Sequence, residues 1–148
     1  MNDLLNLYQK INHFGRFLKL ELEYIRPGEI KYRMPIEEMH LAQPNAAHGG
    51  AVAAMMDGVL GVAALSLAVE TNQLVSTVEF KINYFKPVLP GYLLEGHGIV
   101  EFSGKRLIST SGRIVEKNSG ELLCTGCGTF NQYPAEKLGR ETSRNALE

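Results

Sequence analysis

The chain has 148 residues, 45% of them hydrophobic and 21% charged, a balance that reads as globular and argues against wholesale disorder. Its net charge is −1, from 15 basic and 16 acidic residues, without the basic footprint of a nucleic-acid binder. Cys124 and Cys127 are too few for a disulfide scaffold. The opening "MNDLLNLYQKINHF" lacks the basic and long apolar regions of a secretory signal, so the cytosol is the expected compartment.

Leu4, Leu5, Leu7, Tyr8, Ile11 and Phe14 stand at helical spacings, which predicts an N-terminal helix with Asn2 or Asp3 as its cap. From Phe17 to Tyr24 the pattern alternates, as in a half-buried strand ending at the Pro27-Gly28 turn. "EIKYRMPI" alternates again with Ile30, Tyr32 and Met34 on one face, and the two strands form a hairpin. A loop, "EEMHLAQPNAAHGG", leads into a long apolar helix.

After that helix, "LVSTVEFKINYFKPV" reads as a strand with Val78, Phe80, Ile82 and Tyr84 on one face and Thr77, Glu79, Lys81 and Asn83 on the other. Three more strands follow in "GYLLEGHGIVEF", "KRLISTSGRIVEK" and "ELLCTGCGTFNQY". Turns at Ser103-Gly104-Lys105 and Asn118-Ser119-Gly120 separate them. No repeat or linker divides the chain. The expectation is one domain over 1–148, with its core at about 17–131 and a polar, frayed tail over 134–148. An antiparallel meander wrapping one apolar helix gives an α+β arrangement.

Within the apolar helix, Ala51–Val69 carries one charge, Asp57. A central Asp costs about 2.5–3.5 kcal/mol on membrane insertion, and the many small residues suit a helix enclosed by its own protein better than a membrane span. A carboxylate there loses hydration unless something pairs with it or uses it.

The stretch "HGGAVAAMMDGVLG" resembles the hotdog-fold acyl-CoA thioesterases, in particular the PaaI-type branch of phenylacetate degradation. "TVEFKINYFKPVLPG", "FSGKRL" and the closing "GTF" extend the likeness over about residues 17–131. The resemblance implies a hotdog fold and hydrolysis of an acyl-CoA thioester to acid and coenzyme A. It implies no cofactor beyond the coenzyme A of the substrate, no metal, and assembly as homodimers or dimers of dimers. Asp57 matches the family's general base or nucleophile, and Gly49 the backbone N–H that polarises the thioester carbonyl. The family often places an Asn about six residues before His48; position 42 here is Ala, and the nearest candidates are Asn45 and Gln43. Thr77 is similar to a water-orienting hydroxyl of some members. Tyr84 and Lys86 in "NYFKP", and Ser103, Gly104, Lys105 and Arg106 in "SGKR", stand where relatives contact the pantetheine arm and phosphates.

Thioester hydrolysis needs donors for an oxyanion and a group that activates water. A helix N-terminus and a partly desolvated carboxylate supply these. Gly49 and Asp57 are eight positions apart, about 12 Å along a helix at ~1.5 Å per residue. One chain therefore has difficulty bringing both to one carbonyl, and two antiparallel copies about a two-fold axis would do so.

Plainer readings stand beside these. Asp57 fits a buried carboxylate satisfied across a dimer seam, His48 a residue ordering the loop rather than a ligand or acid, and Thr77 an ordinary strand threonine. Lys105 and Arg106 fit solvated turn charges as well as phosphate ligands. Met55 and Met56 read as core packing. "CTGC" puts Cys124 and Cys127 on opposite faces of a strand, against a metal or redox role. Rival functions are an acyl-carrier-protein thioesterase, a non-hydrolytic acyl-CoA binding or sensing domain, and a dehydratase using a His-centred pair.

Overall fold

The computed structural model describes residues 2–136, so of the frayed tail expected over 134–148 only its start is described, and that start is ordered: Pro134 ends a strand and Ala135 N–H donates to the Asn72 carbonyl at 3.1 Å. Helix α1 spans Asp3–Ile11, with the Asn2 side chain accepting from the Leu4 N–H at 2.9 Å. Asn12 leaves the helix and caps a second one, α2 (His13–Phe17), by accepting from the Gly15 N–H at 2.9 Å. A Cβ on Gly15 would lie 2.4 Å from Asn12 Nδ2, so this cap needs glycine there. The single predicted helix is thus two.

The strand expected from Phe17 is corrected with it. Leu18 and Lys19 form a turn, Lys19 in the left-handed region (φ 58°), and β1 runs only over Glu21–Arg26. Capping outcompetes the period-two pattern at Phe17–Lys19 because it satisfies amides that would otherwise be orphaned.

Strand β2 (Glu29–Pro35) pairs with β1, burying Ile30, Tyr32 and Met34. Its outward residues are charged, and Arg33 joins Glu23 at 2.8 Å and Glu95 at 3.1 Å. The loop before the long helix holds a short hairpin, β3 (Leu41–Gln43) with β4 (Ala46–Ala47). Helix α3 spans Gly49–Ala68. Strands β5 (Gln73–Tyr84), β6 (Leu93–Ser103), β7 (Leu107–Glu116) and β8 (Leu122–Pro134) follow.

All pairings are antiparallel, and the sheet order is β1-β2-β6-β7-β8-β5. The last four strands are therefore no simple meander. Only β6, β7 and β8 meander; β5 lies at the far edge against β8, and β6 joins β2. Alternation specifies that a segment is a strand, whereas its neighbour is set by contacts remote in sequence. Here the segment after β5 crosses the sheet. The Phe85 N–H donates to the Leu123 carbonyl at its start, and the Ile36 N–H to the Tyr92 carbonyl at its end, 2.9 and 2.8 Å.

The sheet curls around α3 because one rung of it has no side chains. Gly98, Gly112 and Gly126 are registered neighbours on β6, β7 and β8. A Cβ on Gly98 would lie 2.2 Å from the Val59 carbonyl oxygen, and one on Gly126 2.8 Å from Met56 Sδ. Val59 and Met56 are fully buried there. Gly98→Ala is expected to destabilise the fold by about 3 kcal/mol, the upper end for an overpacked core, since a backbone oxygen has nowhere to retreat. Urea unfolding measures it, and a variant as stable as the parent would show that α3 lifts from the sheet at little cost.

Ser66, fully buried, fastens the helix to the first hairpin: its hydroxyl donates to the Ala63 carbonyl at 2.8 Å and accepts from the Gly28 N–H at 2.9 Å. The helix is not enclosed on every side, as its composition suggests. Gly50 is exposed, and Ala53, Ala54, Asp57, Gly58 and Gly61 are half-buried along one stripe. Of its most apolar window, 67% is buried in the fold.

Candidate functional site

The start of α3 is organised by two histidines. His48 is the N-cap, its Nδ1 accepting from the Gly50 N–H at 2.8 Å. Its carbonyl accepts from Ala51 N–H and Val52 N–H at 3.0 and 3.3 Å. Among the described residues this leaves Gly49 N–H as the open donor of the first turn, where the helix dipole favours negative charge. The geometry thus gives His48 the loop-ordering role. His40, which the sequence reading missed, supports it from inside. Its buried ring accepts from Glu37 N–H on Nδ1 (3.0 Å), so Nε2 carries the proton given to the Leu18 carbonyl (3.2 Å). The His40 carbonyl in turn accepts the His48 N–H at 2.7 Å.

Tyr84 donates its hydroxyl to the Gly49 carbonyl at 2.7 Å, holding the peptide whose nitrogen neighbour is the open amide. Gly49, Val52, Tyr84, Phe85 and Lys86 line one shallow groove. Lys86 is ion-paired with Glu121. Asn45 is exposed in the turn between β3 and β4 and lines neither this groove nor the cavity at Asp57.

Asp57 lies two turns along α3, half-buried at the polar end of a cavity of about 270 Å³. Thr77 donates its hydroxyl to Asp57 Oδ1 at 3.0 Å. The simple alternation, which set Thr77 opposite Val78, Phe80 and Ile82, is corrected at this point. Thr77 pairs with Phe130 and Glu79 with Thr129, so Val78 is the extra residue of a β-bulge and is 58% exposed. The bulge shifts the phase by one and turns Thr77 toward the helix with Phe80 and Ile82.

Tyr8 of α1 lines the same cavity. Burial, then the charge of Asp57, pushes its phenol above the usual range, so a neutral hydroxyl stands beside the carboxylate. Its oxygen accepts from Asn12 Nδ2 at 3.2 Å. Read from the sequence, Tyr8 is one more apolar residue of an amphipathic helix; the available signal was a phenol on an otherwise aliphatic stripe.

Gly49 and Asp57 open into different depressions of the chain, in keeping with their spacing along the helix. The two expected coenzyme A segments are also apart. The Ser103–Arg106 turn lies over the Asn131–Gln132 end of β8: Gln132 Nε2 donates to the Gly104 carbonyl at 2.5 Å and Gln132 N–H to the Arg106 carbonyl at 2.8 Å. That is the Thr77 end of β5, whereas Tyr84 pairs with Cys124 at the other end, about 20 Å away at ~3.3 Å per strand residue. Ser103, Lys105 and Arg106 are exposed, and neither cation enters an ion pair among the described residues.

Cys124 faces inward and Cys127 outward, both as free thiols. Burial pushes the Cys124 thiol up to about 12, which makes it inert as a nucleophile. Among the described residues no three His, Cys, Asp or Glu side chains group as metal ligands.

Residues 45–123 match the family model described as "Thioesterase superfamily". Among curated proteins, the chain is 28% identical to human acyl-coenzyme A thioesterase 13 over 127 residues, 85% of this chain and 89% of that one. Among solved structures, the PaaI protein of the E. coli phenylacetic acid degradation operon superposes with a TM-score of 0.80 at 16% identity, covering 86% of this chain and 89% of that one. A hypothetical thioesterase of Streptococcus pneumoniae, solved with coenzyme A, superposes with a TM-score of 0.74 at 17% identity, covering 86% and 97%. These neighbours share the hotdog fold: an antiparallel sheet around a long central helix.

Proposed function

Since this chain belongs to the thioesterase superfamily, we propose that it hydrolyses an acyl-CoA thioester to the free acid and coenzyme A, with Asp57 acting on the thioester carbonyl or its water. The observation that carries the reading is the Asp57 carboxylate in the lining of a largely apolar cavity, with Thr77 bonded to one oxygen and, among the described residues, no bond to the other. As a base, Asp57 takes a proton from water while the hydroxide adds to the carbonyl carbon. The negative charge gathers on the carbonyl oxygen, the C–S bond then breaks, and the coenzyme A thiolate leaves and is protonated. As a nucleophile, the same carboxylate would add to the carbonyl carbon and expel the coenzyme A thiolate, leaving an anhydride that water opens to the acid and free Asp57.

The donor for the oxyanion is Gly49 N–H of a second copy. Three features support a two-fold pair. Among the described residues strand β5 has one ladder partner and an open outer edge, an invitation to pair with another chain. Val78, Tyr84 and Phe85, on or beside it, are exposed. The small residues at the start of the α3 stripe, exposed Gly50 and half-buried Ala53 and Ala54, would admit a second helix closely. Antiparallel packing about this edge would set Gly49 of one copy against Asp57 of the other, and the Tyr84–Lys86 segment of one near the Ser103–Arg106 turn of the other.

Thr77→Val removes one hydrogen bond to a charged oxygen and is expected to lower kcat about tenfold to a hundredfold. A thiol-trapping assay with acyl-CoA reads the rate, and an unchanged kcat would return Thr77 to an ordinary strand residue. Reversing the charges of Lys105 and Arg106 should raise KM for acyl-CoA more than for a short thioester without the nucleotide. Equal effects would remove both from the phosphate site.

A further inference from the structure

We propose, resting on the thioesterase reading, that the cavity beneath α1 receives the acyl group and selects a linear, uncharged chain of about eight to ten carbons. The walls come from four elements. Leu4, Leu7, Tyr8 and Ile11 of α1 face the cavity at spacings of three and four, one helical stripe. Gly61, Val62 and Leu65 of α3 form the facing wall, with β5 and β8 closing the sides. Asn2 Nδ2 bonds to the Val69 carbonyl at 3.1 Å while Tyr8 feels the charge of Asp57, so α1 runs back along α3 and roofs the slot.

The slot has a reactive end and a deep end. Asp57 and Thr77 mark the first, and Leu65, Leu4 and Leu74 the second. From Asp57 to Leu65 is eight helical residues, about 12 Å at ~1.5 Å each. An extended chain advances about 1.2 Å per bond, as the three bonds of a peptide unit cover ~3.3–3.6 Å. With the reacting carbonyl set about 3 Å from Asp57, roughly seven to nine bonds remain beyond it, a chain of about eight to ten carbons.

Volume and lining narrow the class. An apolar cavity of ~150 Å³ holds one benzene ring; this one is about 270 Å³. A single ring near Asp57 would leave the deep half unfilled and forfeit its contacts. Among the described residues no Lys, Arg or His lines the slot, so a second carboxylate on the acyl group would find no cationic partner there. Away from Asp57 and Thr77, the side-chain polar groups in the lining are the phenols of Tyr8 and Tyr133.

The test uses the purified full chain with saturated acyl-CoAs of two to fourteen carbons, phenylacetyl-CoA and a dicarboxylyl-CoA. Hydrolysis is read by thiol release. Binding of the matching non-hydrolysable S-alkyl-CoA thioethers is read by calorimetry. Expected are kcat/KM and thioether affinity that rise about fourfold per carbon, the value of a buried methylene, and level off at eight to ten. Leu4→Trp and Leu74→Trp, on different elements at the deep end, should each move the plateau down by two to four carbons. A flat length profile, a preference for phenylacetyl or dicarboxylyl, or plateaus unmoved in both variants would overturn the assignment, even with hydrolysis intact. Thioethers that show the length profile while no thioester is cleaved would keep the slot and overturn the hydrolytic reading beneath it.

Discussion

Asp57→Asn is expected to lower kcat by a factor of about 10³, within the range a positioned general base contributes, while the melting temperature holds or rises slightly. The substitution keeps the shape of the side chain and its Oδ1, so Thr77 still has an acceptor. It removes the charge that activates water. Among the described residues Asp57 enters no ion pair, so losing its charge breaks none in the fold. Under the proposed role, a half-buried carboxylate kept for chemistry follows the usual trade between stability and activity. Kinetics and thermal unfolding of the same preparation decide the matter. Wild-type turnover in the variant would make the chain an acyl-CoA binding domain in which Asp57 is incidental. A collapse of the melting temperature would give Asp57 a structural role instead.

Local chemistry announced much of this molecule and remote chemistry did not. The long helix was legible, and composition alone set Asp57 apart on a helix of Ala, Gly, Val and Met. The alternation of β2 and the turns at Ser103 and Asn118 were legible for the same reason: period two and turn residues act within a few positions. The start of β1 was misread since Asn12 and Gly15 form a cap whose three-residue spacing overrides the alternation beyond it. The place of β5 at the sheet edge depends on pairing with residues about fifty positions later, which no periodicity encodes.

The site shows the same division. Thr77 was found by its position after the helix, yet its direction comes from a single bulged residue, Val78, visible only in the register of β5 against β8. His40 passed unnoticed because its task is to hold carbonyls and amides of other segments, an assignment made by the fold. Tyr8 reaches Asp57 from the far end of the sequence for the same reason.

The second large effect is a rescue. Gly49→Pro deletes the open N–H and little else: proline suits the first position of a helix, and His48 before it already has the extended backbone that proline requires (φ −65°, ψ 130°). A Cβ at this position would meet Tyr84 Oη at 3.7 Å, ordinary contact. Loss of one oxyanion donor costs about 10²- to 10³-fold in kcat, so Gly49→Pro and Asp57→Asn dimers should each be nearly inactive. In a heterodimer of the two, isolated with two affinity tags, the sites are unequal. One joins Gly49 of the Asp57→Asn chain to Asp57 of the Gly49→Pro chain and is intact; the other lacks both groups. The heterodimer should therefore regain about half the activity of the parent dimer, as two-fold symmetry requires. If each site were built within one subunit, every site of the heterodimer would carry a lesion and no activity would return. Refolded parent homodimers, mixed and separated in the same way, set the scale. Rescue is something neither variant can produce by misfolding, so its appearance identifies the amide and the carboxylate as parts of one site contributed by two chains.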